Sequence, residues 1–457
     1  MLNFYDRLDD AGRLRLLDQI DSVDWPEILR LVHSHVRCTP RFDLPADVQP
    51  APWYPFVPPP ELADKYRRAR ALGQDLVRQG KVAAFTVAGG QGTRLGWDGP
   101  KGSFPATPIR RLPLFGCMAE YIRKTQQKFG ALVPWYVMTS PINDAATRAF
   151  FAAHEYFGLN PANVMLFPQA MMPALDMQSG LVLLESPGSM ALSPNGHGGS
   201  LKALFSSGAL ADMRRRGVEQ VCYTQVDNPI VRVVDPLFLG LHALDGCQMS
   251  SKMLPKRAPL EKLGNFCLVE GKMTVIEYSD LPDPLAHERL PGGQLRFLAG
   301  SIAIHVLRVD FVEALSRGGG FSLPFHRAQK KVPHIDARTG AAVKPAQPNA
   351  VKLETFVFDA LPRCDRSIVY ETDRADEFAP IKNASGPDVL DSPETSKQAQ
   401  VERAARWLEA AGVAVPRRPD GACAAVLEIS QLSAIEPEDL KGLPLPPRIE
   451  PGENLLL

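Results

Sequence analysis

Residues 88–102 read AGGQGTRLGWDGPKG, which places one arginine, Arg94, and one lysine, Lys101, within a run of glycines. Glycine lacks a Cβ, so such a run lets backbone N–H groups close on an anion, and phosphate is the anion that such loops cradle. Two cations beside a bed of amides suit a triphosphate, whose charge needs more than one partner. The preceding Val82–Val87, VAAFTV, has the β-branched and aromatic make-up of a buried strand, so the loop leaves a carboxyl end, the edge at which open α/β sheets bind ligands. Asp227 closes a second apolar run, QVCYTQV, and a carboxylate at the end of a buried strand is costly unless it holds something. Together these residues point to handling of a phosphorylated ligand, with Asp227 as the candidate metal ligand.

Two other phosphate-binding patterns compete for the loop. GQGTRLG follows a strand much as a dinucleotide fingerprint does, but that reading wants an acidic residue about 20 positions on, at the end of the next strand. The nearest candidate, Glu120, falls inside the helical pattern LFGCMAEYIRKTQQKF. The Walker pattern needs Lys followed by Ser or Thr, whereas Lys101 is followed by Gly102.

The elements that must position these groups alternate along the chain. A helix is expected over 61–79, then strand 82–87, helix 115–129, strand VPWYVMTS, helix 142–157, strands NVMLFPQ and GLVLLE, helix 200–216 and strand QVCYTQVDN. This order predicts a mostly parallel sheet covered by helices on both faces. NFCLVEGKMTVIEYSD and LAGSIAIHVLRV read as antiparallel hairpins beside that sheet. Residues 1–60 form an N-terminal helical segment followed by a proline-rich strap along the surface, 61–398 a catalytic domain, and 399–457 a small C-terminal domain opening with a helix.

Of 457 residues, 51 are basic and 51 acidic, so no global field draws nucleic acid or an anionic membrane. The seven cysteines are scattered without a C-x-x-C pair, which argues against a disulfide framework or zinc and favours a reducing cytoplasm. The acidic, amphipathic start is unlike a secretory signal, and no apolar run approaches the roughly 20 residues of a membrane span.

AGGQGTRLG followed by PKG resembles the signature loop of the sugar-nucleotide pyrophosphorylases, and most of all the eukaryotic-type UDP-N-acetylglucosamine pyrophosphorylase group of the UDP-sugar pyrophosphorylase family. The likeness continues in order through WYVMTSPINDAATRAFFAAHEYFGL, VMLFPQAMMPALD, GGSLKAL, QVDNPIVRVVDPLFLG, VIEYSD, AQKKVPHID, KLETFVFDAL, DEFAPIKNA and EISQL. It implies an α/β Rossmann-like nucleotidyltransferase core with a mixed, mostly parallel sheet, acting on UTP and a hexose 1-phosphate with Mg²⁺. It also implies site roles. Ala88, Gly89 and Gly90 wrap the nucleotide, Gln169 and Gly196 read uracil, Arg94, Lys101 and Lys382 meet the phosphates, and Asp227 holds the metal. An amide such as that of Gln169 offers a donor and an acceptor together, the complement of an imide edge.

On the sugar side the resemblance assigns Gly264, Glu277 and Phe356 or Phe358 to positions around the hexose. Two positions depart from the family pattern, with His197 and Ser301 standing where asparagines contact the sugar. N-acetylglucosamine 1-phosphate is the expected sugar substrate, with glucose 1-phosphate or a broader range as the sibling reading. A non-catalytic nucleotide-sugar binder and a nicotinamide oxidoreductase are the readings of other classes.

Overall fold

The computed structural model describes residues 1–38, 44–45, 47–316 and 323–457. A ten-stranded sheet runs through its centre, built from β1 (Val48–Pro50), β2 (Val82–Val87), β3 (Trp135–Thr139), β4 (Val164–Pro168), β5 (Gln220–Gln225), β6 (Met249–Pro255), β7 (Gly264–Val269), β8 (Lys272–Ile276), β9 (Ala299–Arg308) and β10 (Val369–Glu371). The half that carries the glycine loop is parallel, in the order β5-β2-β3-β4, with Gln220 opposite Val82 and Ala84 opposite Trp135. Beyond β5 the sheet turns antiparallel through β9, which pairs with β6 and β7.

The described helices that matter here are α1 (Asp10–Asp21), α2 (Trp25–Leu31), α3 (Ala63–Arg78), α4 (Leu114–Phe129), α5 (Asp144–Ala153), α6 (Gly199–Ser206), α7 (Ala209–Arg215) and α8 (Pro236–Leu244). The period of 2 in β2 explains why both faces need cover. Val82 and Ala84 face a core shared with α3, α4 and α8, while Ala83 and Phe85 face one shared with α6 and α7. Helices α3 and α8 cross at two glycines. A Cβ on Gly73 would lie 1.7 Å from the Pro236 carbonyl oxygen, and one on Gly240 1.6 Å from that of Ala69.

The structure departs from the sequence expectations at several elements. The expected helix over 142–157 stops at Ala153, because Glu155, Tyr156 and Phe157 turn left-handed and fold the Phe157 ring back onto Phe150 and Phe151. The expected helix over 200–216 divides at Gly208, where φ is 82°. Of GLVLLE, Leu184 begins a short strand, Leu184–Ser186, paired with Ser189–Met190, and Val182 makes only an isolated bridge to Leu175. NFCLVEGKMTVIEYSD is the β7–β8 hairpin, turning at left-handed Glu270 and Gly271. LAGSIAIHVLRV becomes β9, inside the sheet rather than beside it.

Part of the proline-rich strap, residues 43 and 46, lies outside the described residues. The rest is tied to the sheet. β1 pairs with β7, and the Tyr54 N–H donates to the Val369 carbonyl at 2.9 Å. Helices α1 and α2 pack on a small three-stranded sheet through Leu16, Ile28 and Leu31 against Leu175, Val351 and Leu353. Residues 401–457 share a core of their own around Leu408, Leu427 and Ile449. Among the described residues no helix is long and apolar enough to cross a membrane.

Candidate functional site

The glycine loop leaves the carboxyl end of β2. The Ala88 N–H still pairs with the Met138 carbonyl of β3 at 2.7 Å, after which the chain folds on itself, with Gly92 donating to Gly99 at 2.9 Å and Lys101 to Gly90 at 3.1 Å. From outside, Asn143 holds the loop. Its fully buried amide donates to the carbonyls of Ala88 (2.9 Å) and Gly90 (3.1 Å). Asn143 also precedes α5, a helix-entry position that favours Asn and is the one signal that could have singled it out. Glu120, the nearest candidate for the ribose acid of a dinucleotide site, sits in α4 and is ion-paired with Arg110 instead.

Lys101 turns from the loop toward Asp227, with Nζ 3.4 Å from a carboxylate oxygen and both side chains mostly shielded from solvent. Arg94 lies on the exposed 3₁₀ turn Thr93–Leu95 and forms no ion pair or hydrogen bond among the described residues. The Asp227 carbonyl accepts from the Ile381 N–H at 2.9 Å, and the buried Asn228 side chain grips Glu377 and Ala379, so the stretch ending at Lys382 is laced to the end of β5. The Lys382 ammonium lies 5.4 Å from the centre of the Phe378 ring. The Lys382 backbone N–H donates to the carbonyl of Asp391, a residue held at a left-handed φ of 55°. Burial raises the Asp391 carboxyl pKa, the Lys382 charge opposes that rise and the Asp227 charge adds to it, so all three groups share one electrostatic neighbourhood. Asp391 was not foreseen from sequence, because nothing in GPDVLDSPET distinguishes it from a turn aspartate.

A hard divalent cation fits this donor set. Asp227 and Asp391 offer carboxylate oxygens, and among the described residues no three His, Cys, Asp or Glu side chains come together as a closed site would require. A metal held here by Asp227 would take its remaining ligands from outside the protein.

On the other side of the loop, Gln169 follows β4 with 6% of its surface exposed. Its Oε1 is buried without a hydrogen-bond partner among the described residues, and a Cβ on Gly89 would fall 2.8 Å from its Nε2, so Gln169 and the glycine loop are in contact. Gly196 adopts φ 82° where a Cβ would sit 2.4 Å from the Thr355 carbonyl oxygen. The loop it belongs to is stitched to the strand Ala350–Glu354 and its continuation by Thr355 N–H to the Asn195 carbonyl and Gly198 N–H to the Thr355 carbonyl, both 2.8 Å.

That stitching brings His197 onto the aromatic wall. Its ring stacks on Phe356 (5.2 Å, 25°) and meets Phe358 edge-on (5.7 Å, 60°). The Val357 N–H donates to its Nδ1 at 3.1 Å, and burial pulls the imidazole pKa down to about 4, so the ring is neutral with its proton on Nε2. His326, absent from the sequence-based site, stacks on the same Phe356 at 4.4 Å and binds Asp359 at 2.8 Å. Burial opposes its charge, but Asp359, with Asp280 and Glu277 behind it, raises the pKa overall.

Glu277 completes the arc. Burial raises its pKa, as do Asp280 and Asp359, against the pull of His326. Gly264 and Ser301 are paired across β7 and β9, and a Cβ on Gly264 would lie 3.6 Å from Glu277 Oε1 and 3.8 Å from Ser301 Cβ. Just after Ser301, Ala303 takes a left-handed φ of 55° where the β6–β9 register shifts. Gly264, Glu277 and Ser301 thus form one group and His197, Phe356 and Phe358 another, with His326 stacked on Phe356 and its charge acting on Glu277.

The chain as a whole resembles known proteins. Residues 58–394 match the UTP–glucose-1-phosphate uridylyltransferase family. The chain is 37% identical to UDP-N-acetylhexosamine pyrophosphorylase-like protein 1 of Homo sapiens, an alignment spanning 96% of this chain and 91% of the human protein. It is 36% identical to UDP-N-acetylglucosamine pyrophosphorylase of Saccharomyces cerevisiae over 75% of this chain and 73% of the yeast enzyme. Among solved structures, the uridine diphosphate N-acetylglucosamine pyrophosphorylase of Trypanosoma brucei, in complex with an inhibitor, superposes with a TM-score of 0.82 at 27% identity, covering 98% of this chain and 94% of that one.

Proposed function

The chain belongs to the UTP–glucose-1-phosphate uridylyltransferase family, and from that premise we propose that it converts UTP and N-acetylglucosamine 1-phosphate to UDP-N-acetylglucosamine and pyrophosphate, with Mg²⁺ held by Asp227. It is an enzyme of uridylyl transfer; the sugar and the metal are our reading. The observation that carries it is the order of groups along one sheet edge. The Gln169 amide stands against Gly89 with its Oε1 unpartnered among the described residues, Lys101 pairs with Asp227, Asp391 feels the charges of both Asp227 and Lys382, and His197 stacks on Phe356.

A sugar 1-phosphate is largely dianionic near neutral pH, since a phosphate monoester loses its second proton at a pKa of about 6. Its oxygen therefore needs no general base. It forms the new bond to the α-phosphorus of UTP while the bond to the β-phosphate oxygen breaks and pyrophosphate leaves in line. Lys101, Lys382 and the unpaired Arg94 supply positive charge where the phosphates gather, and Gln169 with Gly196 orients the base. Bound Mg²⁺ neutralises phosphate charge, and Asp227, with Asp391 nearby, is the group to hold it.

Glucose 1-phosphate, or several hexose 1-phosphates, is the second reading. It is favoured by His197 and Ser301, which present one ring N–H and one hydroxyl to the sugar wall. The seven free thiols support a reducing, cytoplasmic setting. Pyrophosphate release from UTP, measured against a panel of sugar 1-phosphates with and without Mg²⁺, tests the proposal. N-acetylglucosamine 1-phosphate is expected to give the highest kcat/KM, and Asp227→Ala to abolish turnover with the fold retained. Near-normal turnover of Asp227→Ala at saturating Mg²⁺ removes Asp227 from the metal site, and no product with any sugar leaves a nucleotide-sugar binder.

A further inference from the structure

Three segments carry the groups assigned to the phosphates, and they come from distant parts of the chain, around residues 101, 227 and 382. None of the three groups lies within a long helix or a sheet strand. All three segments are held by the C-terminal unit, that is, the helix Pro393–Ala410 together with the core that follows it. Ser396, in the first turn of the helix Pro393–Ala410, donates to the Ala379 carbonyl at 2.6 Å, three residues before Lys382. One turn further on, the Gln400 amide donates to the Ala106 carbonyl at 2.9 Å, on the segment leading away from Lys101. Gln431, just past the strand Val426–Glu428, donates to the Pro229 carbonyl at 3.1 Å, two residues after Asp227. Glu428 extends the grip, accepting the N–H groups of Ile109 (2.7 Å) and Arg110 (2.9 Å) and the Arg110 guanidinium.

An appended unit attached only by apolar contact would leave these carbonyls to water. Here the donors are side chains that are themselves shielded, Ser396 at 1% and Gln431 at 9% exposure, so each bond forms away from competing solvent and fixes the loop it meets. None of the three lies within the wall that faces the sugar or the pocket of Gln169.

We propose that the C-terminal unit sets the spacing of Lys101, Asp227 and Lys382, with Ser396, Gln400 and Gln431 as positioning residues for uridylyl transfer. This rests on the reading of those three groups as the ones that act on the phosphates. Because uracil is read elsewhere, at Gln169 and Gly196, losing the clamp misplaces the reacting groups without removing base recognition. A Gln400→Leu/Gln431→Leu variant keeps the side-chain bulk and deletes both donors; an ångström of misplacement costs up to about 100-fold, so kcat is expected to fall at least ~10-fold while KM for UTP stays within about twofold. Gln400→Leu alone, at a half-buried position, is the milder version and is expected to show the same split to a smaller degree. Val413→Ala, in the C-terminal core and away from these loops, serves as the control for lost thermal stability and is expected to keep its kcat. Unchanged kcat in the double variant, or an equal fall in Val413→Ala at the same loss of melting temperature, overturns the positioning role. Lys382→Met separates the two levels of the argument. If it abolishes turnover while the double variant is normal, the clamp alone is wrong; if Lys382→Met is itself normal, the underlying reading of the site falls and takes the clamp with it.

Discussion

Gln169 keeps a buried carbonyl oxygen without a partner among the described residues, and in a folded interior such an atom costs free energy unless a ligand satisfies it. Replacing Gln169 with Ala removes that acceptor, and leaving a uracil edge unpaired costs on the order of 1–3 kcal/mol. The UTP-to-CTP preference in kcat/KM is therefore expected to collapse; an unchanged ratio would remove Gln169 from the base site. Gly89→Ala probes the same contact from the other side, because its Cβ would meet the mobile end of Gln169 at 2.8 Å, and KM for UTP is expected to rise while the melting temperature holds. In the proposed sugar site, the departures from the family pattern are His197 and Ser301. His197 is neutral, with its tautomer set by the Val357 N–H, so it presents one fixed donor, and Ser301 offers a hydroxyl where an amide would reach further. Loss of one good polar contact shifts preference by about 0.5–1.5 kcal/mol, so glucose 1-phosphate should be turned over alongside the N-acetylated sugar. His197→Asn with Ser301→Asn should move the kcat/KM ratio toward N-acetylglucosamine 1-phosphate, and a static ratio would place selectivity in another contact. Gln169, Gly196 and Asp227 were readable in the sequence as candidates, the first two through the resemblance of their motifs and Asp227 also as a carboxylate ending an apolar strand. Asn143, His326 and Asp391 were not, because an amide that pins a loop, a ring that stacks on another ring and a strained turn aspartate acquire their roles only from partners far away in the chain.

Elements inherit their limits from such contacts. Helices α3 and α8 have ordinary apolar spacing, and nothing local says that Gly73 and Gly240 are where they touch. Gly240→Ala is expected to destabilise the protein by about 3 kcal/mol or more, since backbone rather than a mobile side chain stands 1.6 Å from the new methyl; a urea midpoint equal to that of the parent would show that the helices shift apart at no cost. The α5 pattern likewise runs to residue 157, yet the helix stops at Ala153 because ring packing of Phe157 against Phe150 and Phe151 wins over continued helix. The strand β9 reads as one arm of a hairpin by its alternation, and alternation is blind to which neighbours a strand finds. Its central place and the left-handed Ala303 beside Ser301 come from pairing with β5, β6 and β7.

Across the whole molecule, burial of neutral histidines links stability to pH. His242 and His305 are almost wholly buried, and burial lowers each imidazole pKa to about 3. The unfolded chain takes up these protons below about pH 6.5 while the folded one does not. The stability they contribute is thus complete above that value and is lost as pH falls, by about 1.4 kcal/mol per pH unit for each group. Urea unfolding between pH 7 and 5 should show the decline, and His242→Asn should lessen its slope by about one proton's worth; equal slopes would mean that His242 titrates alike in both states. The sequence by itself determined the alternation of strands and helices, the glycine loop at a strand's carboxyl end and the motif order that leads to uridylyl transfer, because period, glycine content and spacing are local properties of a chain. Only the tertiary structure decided that Lys101 pairs with Asp227, that Asp391 feels the charges of both Asp227 and Lys382, that His197 lies on Phe356, and that Ser396, Gln400 and Gln431 hold the segments around Lys382, Lys101 and Asp227. The physical reason is that each of these contacts joins residues far apart in the chain, and its energy exists only once the sheet and its flanking cores have brought the partners within a few ångströms.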